Sequence, residues 1–175
     1  MQSIIIDMDE VMADTMRGMI NLYKERKYTG EIVYDLMGGG SWIKGFPDKD
    51  QPMVREWLFE TGFFRNLPVM ENCIEVMKEL NQQYKVFIVS AAIEFPNSLN
   101  DKLLWLNEHF PFLTWQQIVF CGSKSVVYGD YMIDDLVRNL EPFNGKKYLY
   151  SGYHNKEITG YDRVNNWEEV AKVFL

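Results

Sequence analysis

Five short runs, residues 3–7, 85–90, 117–121, 131–134 and 146–150, are apolar on both parities. A strand with one face in water alternates apolar and polar residues. A strand that is apolar at every position must be covered on both faces, which calls for helices above and below a parallel sheet. Stretches of helical period separate the runs. Within 71–80, Cys73, Ile74, Met77 and Leu80 share one helical face, and Ser98 with Asp101 reads as an N-cap ahead of Leu103, Leu104 and Leu106. Asn166, with Glu169 at the reciprocal capping position, opens a last helix. This alternation predicts an α/β fold with right-handed crossovers. Residues 15–69 interrupt it, with helical pattern at Thr15–Lys27 and Pro52–Glu60 and no strand. They read as a helical insertion after the first strand, which leaves 1–14 and 70–175 as the core. The glycine run Gly38-Gly39-Gly40 inside the insertion is either a hinge or a surface loop.

A chain of 175 residues, 47% of them hydrophobic, suits one compact domain and has no room for a second full one. No apolar run approaches the roughly 20 residues of a spanning helix, and no basic segment leads into a long apolar one, so a cytoplasmic protein without a membrane partner is expected. Cys73 and Cys121 lie far apart in apolar surroundings, as buried free thiols do in a reducing compartment. A net charge of −7 speaks against tracking along a nucleic-acid polymer. A single small phosphate ester is a different matter, because one metal and one or two lysines can hold it on an acidic protein.

The apolar runs lead into residues that carry chemistry. The first ends in Asp7-Met8-Asp9, the second in Ser90, the fourth in Asp134-Asp135, and the third is followed by Gly122-Ser123-Lys124. Open parallel sheets bind ligands beyond the carboxyl ends of their strands, so these four stretches converge on one site. A phosphate monoester dianion resists an anionic nucleophile unless a cation screens the charge. Magnesium, which takes oxygen ligands and bridges carboxylate to phosphate, suits such a cluster.

Acid pair, serine, lysine and second acid pair, in that order, resemble the haloacid dehalogenase (HAD) superfamily of phosphotransferases. The run Asp7 to Asp14, Gly62-Phe63-Phe64, Asp101-Lys102-x-x-Trp105, His154-Asn155 and Asn166-Trp167-Glu168 resemble the 5'(3')-deoxyribonucleotidases within it, over nearly the whole chain. The resemblance implies a three-layer Rossmann-like core with 15–69 as a small helical cap. It also implies magnesium-dependent hydrolysis of nucleoside monophosphates, preferring deoxyribonucleotides, through an aspartyl-phosphate. Asp7 would be the nucleophile. Asp9 would be acid and then base, with its backbone carbonyl on the metal. Ser90 and Lys124 would hold the phosphate. Lys102 matches a second phosphate-side lysine, though it also fits a solvated helix face.

The metal site would comprise Asp7, Asp9, Asp134 and Asp135, with Asp135 the direct ligand and Asp134 behind it; Asp130 is an alternative. Trp42, Phe63 and Phe64 would line a base pocket, or else pack cap against core. His154 matches a family element and reads as a histidine satisfied in a loop near the site. Two positions depart from the pattern: Glu10 stands where glycine is common, and Ala91 where a further phosphate-side hydroxyl is often found. Two other functions stay open. One is a superfamily phosphomonoesterase acting on another small ester such as a sugar phosphate. The other is a catalytically weak, phosphate-binding regulatory relative, against which Asp9 argues because binding alone needs no second acid. Oligomeric state is open, with a homodimer among the options.

Overall fold

The computed structural model describes residues 1–39 and 41–175. Gly40, the third glycine of the run read as hinge or loop, lies outside them. Six strands, β1 (Ser3–Ile6), β2 (Lys85–Ser90), β3 (Ile118–Phe120), β4 (Tyr131–Asp134), β5 (Lys146–Tyr150) and β6 (Asp162–Val164), form one sheet in the order β3-β2-β1-β4-β5-β6, every pair parallel. The five apolar runs are the first five strands. β6 escapes the pattern because Asp-Arg-Val is short, carries two charges and buries only Val164.

From β1 the chain builds outward to β2 and β3, then returns to the other side of β1 for β4, β5 and β6. The strand order therefore reverses between β1 and β4, where adjacent crossovers diverge and leave a crevice at the carboxyl ends. Both faces of β1 are buried, as its unbroken apolar run requires. Ile4 and Ile6 join Val86, Ile88 and Ile133 in the larger core cluster, while Ile5 joins Val89, Met132 and Leu149 in the smaller one.

The helices are α1 (Thr15–Glu25), α2 (Gln51–Glu56), α3 (Cys73–Gln83), α4 (Ser98–His109), α5 (Val137–Leu140) and α6 (Trp167–Phe174). On α3, Cys73, Val76, Met77 and Leu80 are buried and Ile74 only partly so. Cys121 is likewise only partly buried. At α6 the Asn166 side chain accepts from the Glu169 amide (2.9 Å), but Glu169 reaches back to the Asn165 amide (2.8 Å) instead of completing a box. Ser98 is not an N-cap: it sits in the first turn of α4, and its hydroxyl donates to the Ala92 carbonyl (3.2 Å). Asp101 instead accepts the Gly62 amide at 2.6 Å, holding a turn whose φ of +92° favours glycine.

Residues 15–69 contain helices and 3-10 turns and, among those described, no strand beyond an isolated bridge. Their two connections to the core are clamped side by side. Ala13 bridges Val69, Asp14 N–H donates to Pro68 O and Met70 N–H to Met12 O, both at 2.8 Å. Two buried indoles brace the same region, Trp105 donating to Leu67 O and Trp167 to Val11 O, each at 2.7 Å. Satisfying the N–H lets each ring contribute its full apolar burial. No helix among the described residues is long and apolar enough to cross a membrane.

Candidate active site

Asp7 follows β1 directly, and its amide still donates to Ile133 O on β4 (3.0 Å), so its side chain leaves the sheet at the point where the strand order reverses. The chain then tightens, with the amides of Met12 and Ala13 both on Met8 O at 2.8 and 2.9 Å. The turn puts Glu10 at φ 58°, a left-handed conformation in which a side chain costs about 1 kcal/mol and glycine far less. Glu10 compensates by accepting the Met16 amide at 2.6 Å, an otherwise unpaired donor at the start of α1. Asp14 accepts the Arg17 amide (2.9 Å) on the same turn.

Lys124, in the turn after β3, is buried with its ammonium 2.5 Å from Asp7 Oδ1 and 2.6 Å from Asp134 Oδ2. Asp134 also accepts from the Leu136 amide (2.9 Å) and from Asn139 Nδ2 (2.9 and 3.2 Å), which occupies both its oxygens. Asp135 is different. Its Oδ2 lies 3.1 Å from His154 Nε2, whereas Oδ1 is buried with no hydrogen-bond partner among the described residues. Asp7, Asp134 and Asp135 each offer an oxygen within 4.8 Å of the others. Three buried carboxylates, two of them on one ammonium and the third with an orphaned oxygen, fit a hard divalent cation such as magnesium. The carboxylate of Asp9 stands apart from these three.

Asp9 is instead tied to Lys102, whose Nζ lies 2.5 Å from its Oδ2, 3.0 Å from Ser90 Oγ and 4.5 Å from the Phe64 ring centroid. At 1% exposure, Lys102 lies on no solvated helix face, and that alternative falls. Asp130 falls too. It sits before the amino end of β4, away from the site, and accepts from Ser3 N (2.7 Å) and Ser3 Oγ (2.9 Å).

A cavity of about 470 Å³ opens above these groups, within the size range of small-molecule sites. Asp7, Asp9, Glu10, Lys124, Asp135 and His154 line its polar side. Met16, Met19, Trp42, Leu58 and Phe64 supply an apolar wall from the insertion, joined by Phe95 and Tyr153. Ala91 also lines it, and Glu94 and Arg138, paired at 3.2 Å, bridge two of its edges. Phe63 does not line the cavity. It packs edge-on against Phe64, with ring centroids 5.1 Å apart, because the turn after Gly62 sends adjacent side chains in different directions.

Asn139, the Leu136 amide and Asn155 also belong to the site, and of these only Asn155 falls in a stretch that the family resemblance marks, His154-Asn155. Asn139 follows Asp134 by five positions, and a lone polar residue on a short helix carries no sequence signal of that role.

Burial pushes the Asp7 carboxyl up to about 6, Lys124 opposing and Asp134 and Asp9 adding to the rise. Burial also lifts Asp135 to about 6 against the His154 hydrogen bond, and Glu10 to about 8 with help from Asp135. His154 is raised as well: burial opposes, but the hydrogen bonds and charge of Asp135, with the charge of Glu10, together outweigh it. Carboxyls raised in the folded state bind protons that the unfolded chain does not, so their charge opposes folding above about pH 6 and the penalty is relieved as pH falls. A raised histidine acts in the same direction. Metal-free protein in chelator is therefore expected to gain stability from pH 7 to pH 5 in urea denaturation, and stability that rises with pH over that window would contradict these environments.

A parallel α/β sheet with acids and a lysine gathered at its carboxyl ends has the make-up of a metal-assisted phosphoryl-transfer enzyme. A Bacillus subtilis protein provisionally named a HAD-hydrolase, solved bound to magnesium, matches in fold with a TM-score of 0.57 over 99% of this chain and 98% of its own, at 12% identity. The family model described as "5' nucleotidase, deoxy (Pyrimidine), cytosolic type C protein" matches residues 1–175. A Staphylococcus aureus protein provisionally named a 5'(3')-deoxyribonucleotidase is 42% identical over 174 residues, 99% of this chain and 96% of that one. The Bacillus subtilis 5'(3')-deoxyribonucleotidase is 37% identical over 177 residues, 98% of each. The chain belongs to the 5'(3')-deoxyribonucleotidase family of the HAD superfamily, and it is a phosphoric monoester hydrolase, a nucleotidase.

Proposed function

We propose that the protein is a magnesium-dependent nucleotidase preferring deoxynucleoside monophosphates, that it works through an aspartyl-phosphate on Asp7, and that residues 15–69 act as its cap. The observation that carries this reading is the Asp7 carboxylate on the cavity wall, held by buried Lys124, with the second acid, Asp9, lining the same cavity. Asp7 attacks phosphorus as the ester oxygen departs with a proton from Asp9. Asp9 then takes a proton from the water that attacks the acyl-phosphate, which returns free Asp7 and inorganic phosphate. Lys124 balances the charge that shifts between Asp7 and the phosphoryl oxygens. Ser90 and Lys102 supply phosphate donors, and an incoming phosphate draws Lys102 away from Asp9, freeing that carboxylate to hold a proton. When bound by Asp7, the Asp9 carbonyl and Asp135, magnesium would screen the dianion, while Asp134 steadies Lys124 from behind.

The preference for deoxyribonucleotides rests on the relatives' names, and the base is assigned to the apolar wall of Trp42 and Phe64. The substrate is a free small ester in the cytoplasm. The test is a panel of deoxy- and ribonucleoside monophosphates, a sugar phosphate and a chromogenic ester, each with magnesium and with chelator. The fastest turnover should fall on a deoxynucleotide and vanish in chelator. A sugar phosphate turned over faster than every nucleotide would overturn the substrate assignment.

The aromatic wall has its own test. Trp42→Leu should lower kcat/KM about fivefold for a nucleoside monophosphate, the equivalent of about 1 kcal/mol of lost stacking, and hardly at all for the small ester. Equal losses on both substrates would mean that the indole only packs the insertion.

A further inference from the structure

The connection between β5 and β6 presses His154 and Asn155 against the site, and Arg163 on β6 holds that connection in place. Its guanidinium donates four hydrogen bonds: Nη1 to Ser151 Oγ (3.0 Å) and Asn155 Oδ1 (2.9 Å), and Nη2 to the carbonyls of Asn155 (3.1 Å) and Ile158 (2.7 Å). Asn155 is fully buried, and the Arg163 and Gly152 donors on one end of its amide identify that end as oxygen. The nitrogen end must then face acceptors, and it donates to Asp135 O and Tyr150 O, both at 2.8 Å. His154, next in the chain, places Nε2 3.1 Å from both Asp135 O and Asp135 Oδ2. Backbone and carboxylate of Asp135 are thus both held by a segment that is itself pinned from behind by one guanidinium.

We propose that Arg163 is a positioning residue for Asp135, acting through the placement of Asn155 and His154 on the connection it pins. Without the guanidinium, the amide of Asn155 keeps its orientation through Gly152 N–H, Asp135 O and Tyr150 O, but the Ser151 hydroxyl, Asn155 Oδ1 and the Ile158 carbonyl each lose a donor, and the connection loosens against Asp135. The carboxylate that carries the orphaned oxygen would lose its fixed place beside Asp7. A lysine replaces it only in part, because one ammonium has three donors and cannot reach all four acceptors served by the two guanidinium nitrogens. The inference rests on the magnesium reading above.

Direct magnesium titration by calorimetry on the full chain, with a melting temperature for each variant, tests it. Arg163→Ala should bind magnesium about tenfold more weakly, the scale typical of residues that orient a metal ligand, while kcat at saturating magnesium stays close to wild type. Arg163→Lys should fall between the two and decides the matter if the alanine variant does not fold. Val170→Ala, a core truncation on α6, should lower the melting temperature without moving affinity. Wild-type affinity in Arg163→Ala, or in Arg163→Lys where that variant decides, overturns the proposal. So does an equal loss in Val170→Ala, since affinity would then follow global stability. Failure of the unaltered protein to bind magnesium would overturn the metal reading itself, and the inference with it, before any variant is compared.

Discussion

Asp7→Asn is expected to lower turnover by at least about four orders of magnitude while leaving the fold intact. An amide is a poor nucleophile toward phosphorus and a weaker ligand for a hard cation, so chemistry and magnesium affinity should fall together. Stability should not. Burial holds the Asp7 carboxyl up near 6, so at neutral pH its charge opposes folding in the metal-free protein, and a neutral isostere removes that penalty while keeping the shape. Metal-free Asp7→Asn should therefore melt at or above the wild-type temperature. Acid-quenched mass spectrometry should detect a phosphorylated wild-type chain and no phosphorylated variant. Near-normal steady-state rates in the variant would remove the aspartyl-phosphate from consideration.

Lys124→Met should damage both activity and stability. The ammonium is nearly inaccessible and is the shared cation of Asp7 and Asp134. Removing it leaves two buried carboxylates without their common counter-charge, and breaking a buried pair from one side costs about 3–5 kcal/mol. Against a total stability of roughly 5–15 kcal/mol, that is a large loss. Turnover should fall about 10²–10³-fold, as when one stabilising donor is taken from a developing oxyanion. The stability deficit should shrink as pH drops from 7 to 5, because protonating either carboxylate removes the repulsion. A deficit of the same size at both values would mean that Lys124 does not act as their shared counter-ion.

Asp7, Asp9, Ser90, Lys124 and Asp134 were legible in the sequence because their location depends on local pattern. Each ends or follows an apolar run, and in a parallel sheet every such end lies at the same edge. Asp130 and Asp134 show how far that logic reaches: four residues of extended chain span about 13 Å, so one of the two had to lie far from the site. Only the observed limits of β4 say which. Glu10 was visible as a departure. Its reason, a left-handed turn compensated by a bond to α1, needed the backbone.

By itself, then, the sequence determined the α/β class, the first five strands, the helical insertion and the edge of the sheet where the chemistry gathers. These follow from periodicity and strand direction, which neighbouring residues impose on one another. The tertiary structure alone decided that Lys102 is buried against Asp9, that Phe64 and not Phe63 faces the cavity, that Asp134 is saturated while Asp135 keeps a free oxygen, and that Arg163 stands behind both His154 and Asn155. Asp134 and Arg163 pair with residues 2 to 12 positions away, but Asp135 with His154 and Asp9 with Lys102 join segments 19 and 93 positions apart. Burial and pairing at such separations are properties of packing, and no local pattern encodes them.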